Sequence, residues 1–458
     1  MHRRDFVSTS GLGLIGTLAA APRSLPSRVV GANDRISCGF IGIGGMGRAN
    51  LSDFLKCQET EVAALCDVWQ PNLDRARKLA GGNAAAYKDF RKILDRKDID
   101  VVVISTPDHW HAYLAIQACR AGKDVYVEKP LAHNIREGRL MVEAARQNKR
   151  VVQVGTQQRS GNHYKAVVEY IQAGKIGKVS RVAAWNFENQ SPHGIGTFQD
   201  CPSPPDLDYD LWLGPAPKRA FNPNRFIYNF RFFWDYAGGH ATDWGVHHVD
   251  IVQWVMNEHA PKRVSAFGGK YVLNDNRETP DTLDVIFEFS KFTYSYSNRL
   301  VNANPLYGRP FGIAFYGSDG TLVVDRAGYE VVPENRGVFD PPAPAYRREL
   351  ESAASTEPSV RWSQDRNVRK GRTQNLLADG SEQHLSHVKN FLECVRSRKA
   401  PASDVEVTHH STATVHLANI SLRTGRTIAW DSENEQIRGD AEAAQYLSRS
   451  YREPWIVS

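Results

Sequence analysis

Two short motifs hold the side chains best suited to acid–base chemistry. The first is Glu128-Lys129-Pro130, at the end of an apolar run. The second runs from Gly238-Gly239-His240 through Asp243 to His247. Asp243 and His247 are four residues apart, so on a helix they share one face. The glycine pair and the apolar continuation (Ile251, Val252, Trp254, Val255) suit a helix that enters a core from the mouth of a cleft. An ammonium, a carboxylate and an imidazole around one cleft are the groups that oxidation of an alcohol needs, with a base taking the hydroxyl proton as hydride leaves the carbon.

A hydride acceptor has its own signature upstream. Gly42-Ile43-Gly44-Gly45-Met46-Gly47 reads G-x-G-x-x-G, directly after the apolar run Ile36 to Ile41 and directly before a helical pattern. Asp67 follows Gly47 by 20 residues, at the end of a second apolar run. Strand, glycine loop, helix and acid together are the context of dinucleotide binding. Gly42 permits the tight turn, Gly44 lets the backbone approach the pyrophosphate, and Gly47 packs helix on strand. Gly45 and Met46 open the helix, whose free N–H groups face the phosphates. Asp67 is expected to accept from the ribose 2′-OH. No arginine follows it, which favours NAD over NADP.

These residues need a sheet to hold them. Apolar runs at 36–41, 61–66, 101–105, 125–127 and 151–154 alternate with helical patterns, as in a parallel sheet covered on both faces. The later strands end in Thr106-Pro107-Asp108-His109-Trp110-His111, Glu128-Lys129-Pro130 and Gly155-Thr156-Gln157. Ligands bind beyond the carboxyl ends of such strands. Thr106, Pro107, His111, Glu128 and Gln157 are therefore assigned to the cofactor side of the crevice. From about 160 the pattern changes to period two (179–187, 263–272, 282–289, 292–301, 312–324), which predicts an antiparallel sheet. Between its first two strands lies a loop-rich, aromatic section, 188–237, of the length of a binding loop or lid. Arg225, Tyr228 and Arg231 in it, with His240, are the candidate substrate contacts.

With these motifs in hand, the chain resembles the Gfo/Idh/MocA family, that of glucose–fructose oxidoreductase and inositol dehydrogenase, over roughly residues 34 to 430. The family's E-K-P matches Glu128-Lys129-Pro130. Its G-G-x-x-x-D-x-G-x-H matches Gly238 through His247, and its T-P-x-x-x-H matches Thr106, Pro107 and His111. The resemblance implies an α/β protein: an N-terminal Rossmann parallel-sheet domain, then an α/β domain with an open, mostly antiparallel sheet used in homo-oligomers, dimer or tetramer. It implies NAD(P)-linked hydride transfer on sugars, polyols or glycosides. Lys129 and His247 would handle the proton, and Asp243 would orient substrate or His247. His240 departs from the commoner third glycine. A family branch that hydrolyses glycosides by transient oxidation, elimination and hydration carries a similar Gly-Gly-His, so a redox-neutral NAD-dependent glycosidase is the alternative. A non-catalytic, nucleotide-bound carbohydrate-binding module is a further one, and the intact Lys129, Asp243 and His247 set argues against it.

The 458 residues are 41% hydrophobic and 24% charged, with a net charge of +6, which is ordinary for a globular protein and weak support for nucleic-acid binding. No apolar stretch reaches the ~20 residues of a membrane span. Arg3-Arg4-Asp5-Phe6 before the uncharged run Gly11 to Ala21 reads as a twin-arginine signal, and predicts export to the periplasm or beyond. An exported enzyme has no obvious supply of free NAD, so the cofactor is expected to stay bound and be recycled. The six cysteines form no C-x-x-C pair and no metal site is expected. The expected organisation is a signal and linker at 1–33, an NAD-binding domain at 34–157, a substrate and oligomerisation domain at 158–430 with a surface excursion at 330–383, and a C-terminal tail at 431–458.

Overall fold

The computed structural model describes residues 35–334, the backbone of 374–377, and residues 383–458. The expected signal at 1–33 and most of the expected excursion at 330–383 lie outside the described residues.

The first half alternates strands β1 (Ile36–Ile41), β2 (Thr60–Cys66), β3 (Ala85–Tyr87), β4 (Val101–Ile104), β5 (Asp124–Val127) and β6 (Val152–Val154) with helices α1 (Gly45–Leu55), α2 (Gln70–Leu79), α3 (Arg91–Leu94), α4 (Asp108–Arg120) and α5 (Ile135–Gln147). The strands form one parallel sheet in the order β3-β2-β1-β4-β5-β6. β4 and β5 are buried at every residue, which is why they read as unbroken apolar runs. The three-residue edge strand β3 is too short to show a period, and the sequence did not reveal it.

The second half holds α6 (Asn162–Gln172), β7 (Val179–Phe187), α7 (Tyr209–Leu213), α8 (Val246–Met256), β8 (Arg263–Gly269), β9 (Thr282–Glu288), β10 (Thr293–Arg299), β11 (Phe311–Gly317), β12 (Gly320–Asp325), β13 (Gly328–Pro333), β14 (Gln374–Leu377), α9 (Gln383–Ser397), α10 (Val405–Thr424), β15 (Ile428–Asp431) and β16 (Gln436–Ile437). Its sheet runs β14-β13-β12-β11-β7-β10-β9-β8-β15-β16. It is antiparallel except where β10 lies parallel to β7. The segment read as one strand over 312–324 is a hairpin, because Gly317-Ser318-Asp319-Gly320 breaks it with turn residues. One face of the sheet buries Val182, Val285, Phe287, Tyr294 and Phe315 against α6, α8 and α10. On the other face Phe267 and Ile286 are exposed.

The two halves interpenetrate more than the sequence suggested. α9, far along the chain, covers the Rossmann sheet: Val388, Phe391 and Leu392 pack with Phe40, Phe54, Val103 and Tyr126. Residues 431–458 are not a free tail. Trp455 packs against Phe90, Trp110 and Tyr113, and Arg449 Nε reaches Glu137 Oε1 at 2.7 Å inside the first half. A tail reading failed because a short aromatic segment shows no period of its own. Among the described residues no helix is long and apolar enough to cross a membrane, no metal-ligand cluster occurs, and the six cysteines are unpaired.

Phe391 is fully buried, 6.4 Å from Phe54 and 5.8 Å from Tyr126 between ring centroids. Phe391→Ala should cost about 3–5 kcal/mol in urea unfolding. A cost near zero would show that α9 merely rests on the nucleotide domain.

Candidate active site

The glycine loop is built to the tolerance its residues dictate. Gly42 has φ +78°, and a Cβ there would sit 2.7 Å from Thr106 N. A Cβ on Gly47 would meet Gly42 O at 2.1 Å, so α1 can approach the turn only with glycine. At Gly45 a Cβ would meet nothing within 4 Å, and at Gly44 only Asn72 Nδ2, at 3.9 Å. Backbone N–H groups at this end of α1, which has no side-chain cap and no acid in its first turn, therefore face open space. This cradle fits a pyrophosphate. Met46 is the second residue of α1.

Asp67, at the end of β2, turns back onto the loop. Its Oδ2 accepts from Ile43 N at 2.9 Å and Asn72 Nδ2 at 3.2 Å, and its Oδ1 accepts from Trp69 N at 2.9 Å. Burial raises its pKa, against the pull of these donors. Across the crevice, Glu128 Oε1 accepts from Asn50 Nδ2 (2.9 Å) and Gln157 Nε2 (3.2 Å). Gly155 leaves room for that carboxylate, which a Cβ would approach within 2.7 Å. His111 is different from expectation. Both ring nitrogens face carbonyls, Pro130 O at 2.8 Å and Thr106 O at 2.9 Å, and burial holds its pKa near 4. It joins two strand-end loops and offers no free group to a ligand. Pro107 is the N-cap of α4, and Thr106 Oγ1 is buried without a hydrogen-bond partner among the described residues.

The acid–base groups converge at the ends of β5 and α8. Gly239 has φ +66° and starts a π-helical turn, Ala241–Gly245, that runs into α8. π-helical turns recur at functional sites. Asp243 lies on this turn and His247 on the first turn of α8. Lys129 Nζ donates to Asp243 Oδ1 at 2.5 Å and to Asp243 O at 2.9 Å. Arg231 Nε is 3.2 Å from Asp243 Oδ2, an ion pair outside hydrogen-bonding angles. Burial alone would raise the Asp243 carboxyl, but Arg231 and Lys129 hold it well below the usual carboxylate range. Burial, then Arg326, push the His247 imidazole well below its ordinary pKa, so it is neutral. Its Nδ1 has no hydrogen-bond partner among the described residues.

His240 is buried and stacked on Phe232 at 5.6 Å between ring centroids, its Nδ1 also without a partner. Arg231 lies over the exposed Tyr228 ring at 4.1 Å. Arg225 belongs elsewhere: it pairs with Asp200 at 3.2 Å and lies over Phe233, within the insertion's own framework. Its type suited substrate binding, but a local carboxylate claims it. The sequence reading missed Asp108 and Asn50. Asp108, first residue of α4, is buried within electrostatic reach of Lys129, Asp243 and Arg231. It follows Thr106-Pro107 directly, and this was the available signal.

The insertion also fastens to the nucleotide domain. Asp208 N donates to Val68 O at 3.0 Å, Gln70 N to Asp206 O at 3.2 Å, and Trp69 Nε1 to Asp206 Oδ1 at 3.2 Å. These bonds ring the corner that holds Asp67.

The oxidoreductase family's NAD-binding Rossmann model matches residues 36–156, and its C-terminal alpha/beta domain model matches 162–298 and 372–457. The chain belongs to the Gfo/Idh/MocA oxidoreductase family. Its first domain is an NAD-binding Rossmann fold. Among curated relatives, it is 28% identical over 206 residues to a glycosyl hydrolase family 109 protein of Shewanella baltica (strain OS155), covering 39% of this chain and 44% of that one. One from Shewanella pealeana is 30% identical over 205 residues, with the same coverage. The chain thus spans less than half the length of the curated relatives it matches. A levoglucosan dehydrogenase in complex with NADH superposes with a TM-score of 0.61 at 18% identity, over 85% of this chain and 98% of the other. The WlbA dehydrogenase from Bordetella pertussis, in complex with NADH and UDP-GlcNAcA, gives 0.60 at 19% identity, over 87% and 99%. At these identities the shared property is the fold.

Burial, partly offset by Lys129, pushes the Asp108 carboxyl up from 3.8 to about 7. Between those values the folded protein holds a proton that the unfolded chain releases, so this group lowers stability as pH rises from about 4 to about 7. Asp108→Asn should therefore gain on the wild type over that window, by up to about 1.4 kcal/mol per pH unit. Urea unfolding at pH 4.5, 6 and 7.5 measures it, and a pH-independent difference would mean an ordinary carboxyl.

Proposed function

We propose that this protein is an NAD-dependent oxidoreductase acting on a sugar, polyol or glycoside by hydride transfer, exported with its cofactor in place and recycling it. The observation that carries the reading is the half-buried Lys129–Asp243–Arg231 cluster beside a neutral His247, at the strand ends that also carry the glycine loop.

NAD, when bound, would supply the hydride acceptor or donor, and the Gly42–Gly47 loop, Asp67, Thr106 and the Glu128–Asn50–Gln157 network would hold it. Asp67 favours a free ribose hydroxyl over a 2′-phosphate, because a carboxylate repels the phosphate. The rest of the work falls to the protein's side chains. An ammonium has three donors, and Lys129 uses two on Asp243, leaving one for a substrate oxygen. Asp243 fixes the direction of that donor. The neutral imidazole of His247 accepts a hydroxyl proton, or returns it in the reverse direction. Tyr228 and Arg231 form an aromatic and cationic wall on the insertion.

The insertion's bonds to Val68, Trp69 and Gln70 close the corner around Asp67, which supports slow release of the nucleotide. Retention is what an enzyme outside the cytoplasm requires. The exposed face carrying Phe267 and Ile286 supports a homo-oligomer, dimer or tetramer. A redox-neutral glycosidase is the second reading. His240, buried with a free Nδ1 beside the Asp243 turn, favours it, together with the partial matches to glycosyl hydrolase family 109 proteins.

The purified protein, denatured and analysed by mass spectrometry, should release close to one NAD or NADH per chain. Lys129→Ala and His247→Ala should keep the nucleotide but lose 100-fold or more in turnover, by the ~10²–10⁴ span of acid–base catalysis. Sugars and glycosides screened by nicotinamide absorbance and by product analysis separate net oxidation from bond cleavage. Full turnover in both variants would overturn the assignment.

A further inference from the structure

The cleft holds a third cation besides Lys129 and Arg231. Arg326 sits in the turn between β12 and β13, its guanidinium 4.6 Å from the Trp244 ring centroid. It is half-buried, and the partial loss of solvent lowers its pKa. The neighbouring Asp325 is already committed to Arg309 at 2.6 Å. Among the described residues Arg326 has no ion-pair partner. With the Gln158 amide turned to satisfy its surroundings, its oxygen accepts from Arg326 Nε at 3.2 Å and its nitrogen donates to His247 O at 3.1 Å. One amide thus ties Arg326 to the backbone of His247 and aims the rest of the guanidinium fork elsewhere.

The charges do not balance. Arg231 and Lys129 hold Asp243 ionised, Arg326 also feels it, and the Glu128 carboxyl beside Lys129 is raised by burial. Asp108 lies nearby, but its carboxyl is raised to about 7. Oxidised nicotinamide brings a further positive charge when bound. A half-buried guanidinium with no ion-pair partner among the described residues is well placed to meet an anion. Arginine's planar fork matches a carboxylate, which accepts two parallel hydrogen bonds from it.

We propose that the substrate carries a carboxylate, as in a uronic acid or a uronate-bearing glycoside, and that Arg326 is the residue that binds it. This rests on the carbohydrate reading above and adds its chemical class. The carboxylate would lie against Trp244 and beside His247, placing the sugar ring next to the proton-handling groups.

Matched pairs that differ only at the exocyclic carbon test it: glucose with glucuronate, and galactose with galacturonate. Binding to the NAD-loaded protein is measured by calorimetry, and hydride transfer by nicotinamide absorbance. The acid of at least one pair should bind about tenfold or more tightly than its neutral partner, with the preference shrinking as salt rises. Arg326→Gln should bring the acid-to-neutral ratio close to one, and Arg326→Lys should restore part of it, with both variants checked for folding by circular dichroism. A wild-type ratio near one in both pairs, or an unchanged ratio in Arg326→Gln, overturns the proposal. Acid preference without hydride transfer would sink the oxidoreductase reading and leave the carboxylate site standing. Equal transfer to acid and neutral sugars would do the reverse.

Discussion

Asp243 is a half-buried carboxylate held charged by cations from two other stretches of chain, and much of the molecule is arranged to keep them there. No single neighbour suffices. Lys129 comes from the end of β5 in the nucleotide domain, Arg231 from the insertion, and Asp243 itself from the turn that opens α8. Three separate stretches of chain must be in place before the charge is tolerable. The ion pair is therefore a latch between the two halves as well as the centre of the proposed site. The widened turn at 241–245 belongs to the same constraint, because it directs the carboxylate and the Asp243 carbonyl onto one ammonium.

Holding that latch shut is the task of the insertion and the late helices. The insertion grips the corner after β2 through main-chain hydrogen bonds and places the Trp212 carbonyl 3.0 Å from both Trp110 Nε1 and His109 Nε2. α10 packs along α5 and carries His416, whose Nε2 lies 2.9 Å from Ala132 O. Asn419 Nδ2 on the same helix donates to Gly238 O at 2.9 Å, at the start of the acid–base motif. The site is thus braced from behind by side chains that never reach the cleft.

How much of this was legible depended on whether the signal was local. The glycine loop was, because φ and Cβ clearance at Gly42 and Gly47 leave one residue type possible. The parallel sheet was, because strands buried on both faces show unbroken apolar runs. That Lys129, Asp243 and His247 belong to one site came from motifs and not from periodicity, but the motifs had Asp243 orient substrate or His247, whereas its carboxylate pairs with Lys129. What failed was everything decided by distant partners. His111 and Arg225 have the right chemistry for a site, yet carbonyls claim one and Asp200 the other. Asp108 and Arg326 carry no motif of their own, and only burial in a crowded cleft makes them unusual. The partner of α9 was equally hidden, since an amphipathic period says that a helix is covered but not by what.

The return of α9 and the Trp455 segment to the Rossmann sheet bears on the order in which the protein can be made. Domains tend to fold as the ribosome releases them, first domain first. Here the first sheet emerges with its cover incomplete: Phe54, Tyr126 and Val103 wait for Phe391 on one side, and in the other core cluster Trp110 waits for Trp455. The nucleotide cradle thus reaches its final form only after the substrate half has been synthesised, so a prematurely terminated chain would expose a wide apolar surface to chaperones and proteases.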